Sequence, residues 1–458
     1  MKRTVVKFGG SNLKSREDIL KVINAIKNYR EPIIIVVSAL YGVTNRLIKS
    51  VTSVKRDKKA INVILKDLNN SHRRIIEKYI KDKDIREDTL SKLDQRIEKL
   101  GKYLLGIHCL EDIPNCAEDM LLSYGERLSS LLLGSILKYM DIDCRELLPE
   151  NIGLVTDGEY GNATIDLEQS KKNIRNIFSG NTTYIIPGFY GISTEYRITT
   201  LGRGGSDYSA SAIAYCVNAS SVDIWKVVSG FLSADPDVVK HPVGIKELSY
   251  SEAAELSYFG AKIFHPLTFE PLLNNEIPVK IFDINNQKGK RSPLTVISSR
   301  SIIKRTVVKS VACIDNIGVI RLGNPGIGIK SNIISKAIDQ IAELGVNIKT
   351  MISSMTSMNI LVSKSDLNKC CGKIKSLKLP TIDTIECYDD SSLIALVGEG
   401  MDKRRGIAVR ALRAVSEKKI NIQLIASGTS RVAIYFLIDS SDRAKTIRAI
   451  HGEFFGKK

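Results

Sequence analysis

Apolar residues near the start of the chain follow two different periods. Thr4 to Phe8 and Ile33 to Val37 are short, nearly unbroken apolar runs of strand length, whereas Ile19, Val22, Ile23 and Ile26 recur at helical spacing. Ser15 stands just before that helical stripe with Asp18 three residues on, which marks a helix start. The opening therefore reads β-loop-α-β, the unit of a parallel sheet. Gly9 and Gly10 follow the first strand, where a backbone without Cβ atoms can approach a phosphate closely. From Arg46 to about Leu110 the spacing is heptad-like, as in Ile61, Ile64, Leu65 and Leu68, and predicts mainly helical scaffold. Asp157 to Gly161 reads as a loop and Tyr184 to Pro187 as a strand.

The stretch Thr199 to Ala212, TTLGRGGSDYSASA, concentrates ligand-facing chemistry. Gly202-Arg203-Gly204-Gly205 can turn sharply and present backbone N–H groups, Ser206 is positioned to cap a helix, and Asp207 falls in its first turn. Ala210, Ile213, Ala214 and Val217 continue at helical spacing. A carboxylate or phosphate held here would meet loop amides, a helix N-terminus and the Arg203 guanidinium. The plainer alternative is a tight turn with Arg203 in water. A similar choice attends Ser123 and Glu126: Ser-x-x-Glu before an apolar helix is a capping box, yet the same glutamate could face a ligand.

The last third repeats itself. A shift of 74 residues pairs Ala337 with Ala411, Glu343 with Glu417, Asn347 with Asn421, Ile348 with Ile422, Ser353 with Ser427 and Ile360 with Ile434. Each copy reads helix, turn, strand, loop, strand. Neither carries an obvious catalytic residue, which suits regulation and assembly.

Composition narrows the class. A chain of 458 residues with 43% hydrophobic content is globular and multidomain. No apolar run reaches spanning length, so no membrane partner and a cytoplasmic setting are expected. The formal charge of +17 has acidic residues interleaved and few aromatics among its lysines, which argues for solvated helical faces and against a nucleic-acid partner. Eight cysteines without a CxxC pair and five histidines without ligand spacing predict neither a disulfide framework nor a zinc site, and Cys370-Cys371 is expected to have no role.

TTLGRGGSD is similar to the signature of the aspartate kinases, members of the amino-acid kinase family, and further segments extend the resemblance over essentially the whole chain. Lys7 to Leu13, KFGGSNL, resembles the family's KFGGTSV. Ser38 to Asn45, SALYGVTN, resembles SASAGVTN, with Leu40 and Tyr41 in place of small residues. SYGERLSS and the GAKIFHP segment around Lys262 also match. The resemblance implies an α/β amino-acid-kinase domain with a largely parallel sheet over 1–298, then two α+β ACT-like (βαββαβ) domains, 299–385 and 386–458, interleaved with each other. It implies ATP-dependent phosphorylation of the β-carboxylate of L-aspartate to 4-phospho-L-aspartate, the first step toward lysine, threonine and methionine.

By the same resemblance, Lys7, Gly9, Gly10 and Asp207 serve catalysis. Ser38, Thr44, Glu126, Arg203, Gly204, Gly205 and Ser206 hold the amino acid, with Glu126 on its ammonium and Arg203 on a carboxylate. Lys7, Trp225, Lys226, Gly230, Asp235 and Lys262 hold ATP, whose Mg2+ is kept mainly by the phosphates without a protein metal site. Ser353, Ser354, Ser427 and Thr429 are placed to meet a lysine or threonine effector, in a homodimer or homotetramer. The nucleotide side departs from the family: the usual W-T-D-V is Trp225-Lys226-Val227-Val228, Leu232 replaces an aromatic, and Asp237 replaces an arginine. Those departures leave open a weakened paralogue acting as an ACT-based amino-acid sensor, and Leu40 and Tyr41 leave open a kinase for another acidic amino acid.

Overall fold

The structure, a computed structural model, describes residues 2–260, 264, 266–286, 292–299, 307–325, 331–376, 382–401, 403–428 and 430–456. The chain forms two compact units. The first comprises Met1–Phe231, Gly244–Ala254 and Lys262–Ile302, and the second Leu232–Val243, Glu255–Ala261 and Ile303–Lys458.

In the first unit the strands are β1 (Thr4–Phe8), β2 (Ile33–Val37), β3 (Cys144–Glu146), β4 (Val155–Thr156), β5 (Thr183–Pro187), β6 (Tyr190–Ser193), β7 (Ile198–Thr200), β8 (Ser221–Lys226), β9 (Glu247–Ser249), β10 (Val279–Asp283) and β11 (Thr295–Ser298). Eight of them make one sheet in the order β3-β5-β2-β1-β8-β10-β11-β9. All neighbours in it are parallel except β10 and β11. A small second sheet is ordered β4-β6-β7. Both β1 and β2 are buried at every position, as nearly unbroken apolar runs in the middle of a parallel sheet require, and in β1 the burial includes Lys7.

Helix α1 (Arg16–Lys27) starts on the capping box read from Ser15 and Asp18, with both reciprocal bonds present. Helices α2 (Val43–Arg56), α3 (Lys59–Tyr79), α4 (Lys83–Leu110) and α5 (Asn115–Tyr139) pack their apolar stripes into one core with β1 and β2. Ser123 lies well inside α5, and its hydroxyl donates to the Met120 carbonyl at 2.7 Å. The capping-box reading of Ser123 and Glu126 is therefore excluded, and Glu126 is released from that duty. Short helices α6 (Pro149–Ile152) and α7 (Leu167–Ile174) precede α8 (Gly205–Cys216).

Helix α8 differs from its expectation in two ways. Its N-cap is Gly204, held at φ +80° where a side chain would be strained, so the helix begins at Gly205 and Ser206 lies in the first turn without capping it. Every residue of the helix is buried, not one stripe. Its glycine, serines and alanines allow it to lie close on β1, β2 and β8, which fixes Asp207 near the ends of those strands.

Helices α9 (Tyr250–Tyr258) and α10 (Glu270–Leu273) precede the second unit's main fold. There β12 (Ser310–Gly323), β13 (Thr350–Ser353), β14 (Ser357–Ser363), β15 (Thr384–Val397), β16 (Ile422–Ser427) and β17 (Ala433–Asp439) form an antiparallel sheet in the order β13-β14-β12-β15-β17-β16. Helices α11 (Ser331–Glu343) and α12 (Lys364–Ser376) cover one repeat's core, α13 (Ile407–Ser416) and α14 (Arg443–Phe455) the other's. The 74-residue shift carries β12 onto β15 end to end, so each copy is βαββα, one strand and one helix longer than the repeat read from sequence. One end of β12 pairs with β14 and one end of β15 with β17, while the two long strands pair with each other and join the copies in one sheet.

Cys371 on α12 and Cys387 on β15 are joined by a disulfide, with Cα atoms 6.7 Å apart. This corrects the expectation of no disulfide and of no role for the Cys370-Cys371 pair. No short-spacing motif marks it, because the packing of α12 on β15 brings the two sulfurs together.

Candidate active site

The carboxyl ends of β2, β1 and β8 lie side by side, and the loops that leave β1 and β2, with the turn into α8, border a cavity of about 720 Å³. Ligands of open α/β sheets bind at this edge. Lys7 near the end of β1 sends its ammonium to Asp207 Oδ1 at 2.5 Å, and Lys226, the last residue of β8, meets Oδ2 at 3.0 Å. Burial pushes the Asp207 pKa up, but Lys226 and Lys7 overcome it and hold the carboxyl below its ordinary value. Lys226 is lowered by burial against the pull of Asp207, with Lys7 adding to the lowering. Its ammonium also sits 4.2 Å from the centre of the Phe264 ring.

Glu126 forms another wall. Its Oε1 accepts the Ala39 N–H at 3.0 Å, and its buried Oε2 has no hydrogen-bond partner among the described residues. Burial lifts its pKa to about 8, although the Ala39 N–H and Lys7 pull the other way. Close packing makes this possible: a Cβ on Gly125 would fall 2.8 Å from that of Ala39, so only glycine lets α5 approach the loop after β2. Arg203 is exposed at the cavity rim and has no ion pair among the described residues.

The cavity gathers Lys7, Gly10, Ser38, Thr44 and Glu126 together with Arg203, Gly204, Gly205 and Ser206. Gly9, N-cap of a single 3-10 turn, and Asp207 lie behind this lining, Asp207 through its bond to Lys7. Asn12, in that turn, donates to the Trp225 carbonyl at 2.8 Å and ties the glycine loop to β8.

The nucleotide assignments fare differently. The Trp225 ring is 3% exposed, lies between Phe8 and Phe282, and donates its indole N–H to Tyr29. Strand alternation turns it into the core, so its side chain is corrected from nucleotide ligand to core residue. Gly230 is buried at φ +78° against Leu294 and Thr295. Asp235 belongs to the second unit, where it pairs with Arg443 at 3.3 Å. Lys262 lies outside the described residues. In the second unit Ser353, Ser354 and Ser427 are exposed, with the Ser354 hydroxyl closing a turn onto Ser357, while Thr429 also lies outside the described residues.

Asp119 lines the cavity unannounced by any motif. Its Oδ2 accepts the N–H groups of Gly161 and Thr200 at 2.9 and 2.8 Å, and its Oδ1 the Thr200 hydroxyl at 2.7 Å. It thus fixes two loops of the wall. Burial raises its pKa against those bonds.

A parallel sheet whose strand ends carry a lysine, a Gly-Gly turn and a helix N-terminus defines an α/β protein built to handle anions and phosphate groups. The model of the amino acid kinase family matches residues 2–283, and the chain belongs to that family. An ACT domain model matches residues 394–454. Among curated relatives, a bifunctional aspartokinase/homoserine dehydrogenase of Buchnera aphidicola is 28% identical over 99% of this chain, which spans 57% of that relative's length. Aspartokinase 2, chloroplastic, of Arabidopsis thaliana is 26% identical over 98% of this chain and 84% of its own. Among solved structures, E. coli aspartokinase III with aspartate and ADP has the same fold, with a TM-score of 0.83 at 23% identity over 99% of this chain and all of that one. Clostridium acetobutylicum aspartate kinase gives 0.76 at 27% identity over 98% of this chain and 100% of its own.

Proposed function

We propose that this chain transfers the γ-phosphoryl group of ATP to the β-carboxylate of L-aspartate, forming 4-phospho-L-aspartate and ADP. The observation that carries this reading is one cavity lined by a buried glutamate oxygen and an arginine, both unpartnered among the described residues, and by a lysine held on Asp207. An amino acid with a second carboxylate suits that set: its ammonium meets Glu126 and a carboxylate meets the Arg203 fork. The names of the matched relatives support the same substrate.

The nucleophile needs no general base, because a β-carboxylate is already ionised at pH 7. Its oxygen forms the new bond to Pγ, the Pγ–O bond to the β-phosphate breaks, and the electron pair leaves with ADP. The protein's work is positioning and charge: Lys7 stabilises the transferring group, Asp207 aims Lys7, and the amides after β1 approach the phosphates. With both Asp207 oxygens holding lysines, Mg2+ would be carried on the phosphate oxygens, where it neutralises charge that builds on the leaving group.

The domain division carried forward is 1–298 for catalysis and 299–385 and 386–458 for the paired ACT-like domains, which we assign to lysine or threonine sensing and to assembly as a homodimer or homotetramer. E. coli aspartokinase III, which shares the fold, has been crystallised with lysine and aspartate, and this supports the lysine reading. The deciding experiment traps acyl phosphate with hydroxylamine across a panel of acidic amino acids with ATP and GTP. Aspartyl hydroxamate formed with ATP is expected. Failure with aspartate overturns the reading.

A further inference from the structure

We propose that Lys226 is a second catalytic cation of the transfer centre, whose ammonium contacts the γ-phosphoryl group of the bound nucleotide alongside that of Lys7. The proposal rests on the reading of the chain as an ATP-dependent carboxylate kinase.

Placement is the first argument. β1 and β8 are parallel neighbours in which Lys7 stands opposite Ile224 and Phe8 opposite Trp225. Side chains two apart on a strand share a face, so Lys226 projects on the same face as Ile224 and Lys7, away from the Trp225 ring. It ends its strand at the sheet edge where β1 runs into Gly9 and Gly10.

Charge is the second. One carboxylate is shared by two ammonium groups at 2.5 and 3.0 Å, and the side chains of Lys7, Lys226 and Asp207 are only 6%, 15% and 6% exposed. An ion pair that served folding alone needs one lysine; bringing a second against the first inside a desolvated site costs stability. The same arrangement suits a ligand with several negative charges, because both cations are already oriented and little reorganisation is left for the moment of transfer. The first turn of α8, from which Asp207 projects, adds the positive end of a helix dipole to the same corner.

In the transfer step the acceptor oxygen bonds to Pγ, the Pγ–O bond to the β-phosphate breaks with its electron pair leaving on ADP, and no proton moves. Lys226 keeps its proton throughout and acts only as a cation on the γ-oxygens.

The test compares the full-length protein with Lys226→Thr, Lys226→Met and Lys226→Arg. Affinities for ADP and for a non-hydrolysable ATP analogue are measured by calorimetry with Mg2+, and kcat and KM by hydroxamate formation. Loss of one charge-assisted contact to the γ-phosphate is expected to weaken the analogue about tenfold more than ADP in the Thr and Met variants, and to lower kcat by about tenfold or more. Arginine should recover part of the analogue's affinity. Equal losses for the two nucleotides, or kcat within about twofold of the parent, overturn the proposal, since a merely structural lysine would not tell ADP from its longer analogue. Lys226→Met retains the buried stem, so it serves if the threonine variant does not fold. If the parent forms no hydroxamate from aspartate yet discriminates the nucleotides through Lys226, the substrate reading fails and this one stands; a parent that binds neither nucleotide overturns both.

Discussion

Asp207 and Glu126 are both buried beside the same cavity, and their surroundings drive them in opposite directions. Asp207 has a lysine on each oxygen and stays ionised below its ordinary pKa. Glu126 has one backbone N–H on one oxygen and no partner on the other among the described residues, and burial raises it to about 8. Asp207 is thus a permanent charge whose partners belong to the protein, fit for aiming cations. Glu126 is an acid with one oxygen left unpartnered among the described residues, which is the condition of a group awaiting a ligand cation.

The comparison is broken most forcefully at Asp207. Asp207→Asn leaves two buried ammonium groups facing each other, so a loss of roughly 3–5 kcal/mol in urea unfolding is expected, with kcat falling by more than about a hundredfold. Lys7→Ala should show a similar fall in kcat with little change in KM for aspartate, because the charge acts on the transferring group. An effect confined to KM would remove Lys7 from the transition state. Next in size, Arg203→Ala should raise KM for aspartate by about ten- to a hundredfold, the equivalent of a charged hydrogen bond worth roughly 1.5–3 kcal/mol, with kcat nearly kept. Unchanged aspartate saturation would return Arg203 to water. Asp119→Asn removes acceptor capacity from three donors on Gly161 and Thr200 without touching the chemistry. A rise in KM of about threefold to tenfold, with kcat and its pH profile unmoved, is expected from one or two weakened wall contacts. A change in the pH profile would instead place Asp119 in the reaction.

What could be read in advance follows the range of the forces involved. β1, β2 and the capping box at Ser15 depend on neighbours within a few residues, and each was legible from the chain. The start of α8 was misplaced because Ser206 is chemically the better cap, while the backbone at Gly204, at φ +80°, decides where the helix begins. Trp225 shows where a motif read as a string fails: alternate residues of a strand face opposite sides, and its neighbour Lys226 carries the polar side. Asp119 was invisible because its partners lie 42 and 81 residues away. The Cys371–Cys387 bridge was hidden for the same reason, since it depends on a helix packing against a strand of the next repeat.

The subtlest expected effect separates the two carboxylates without altering activity. Glu126 with a folded pKa near 8 carries its proton at pH 7, whereas in the unfolded chain it ionises near its ordinary value of 4.5. Between those values the unfolded state binds fewer protons than the folded one, so this group's contribution to stability falls as pH rises from about 4.5 to 8 and is flat outside that window. Asp207 has the reverse sign: its lowered pKa contributes stability above its unfolded value, lost as pH falls through the folded one. A substrate ammonium that pairs with Glu126 must meet the carboxylate, so aspartate binding at pH 7 should expel about one proton, and well above pH 8 about none. Calorimetric titration of aspartate in buffers of different ionisation enthalpy counts that proton directly. Glu126→Gln should abolish the release at pH 7 while weakening binding. If the parent expels no proton at pH 7, Glu126 is either ionised before the substrate arrives or does not receive its ammonium, and the contrast with Asp207 fails on the side of Glu126.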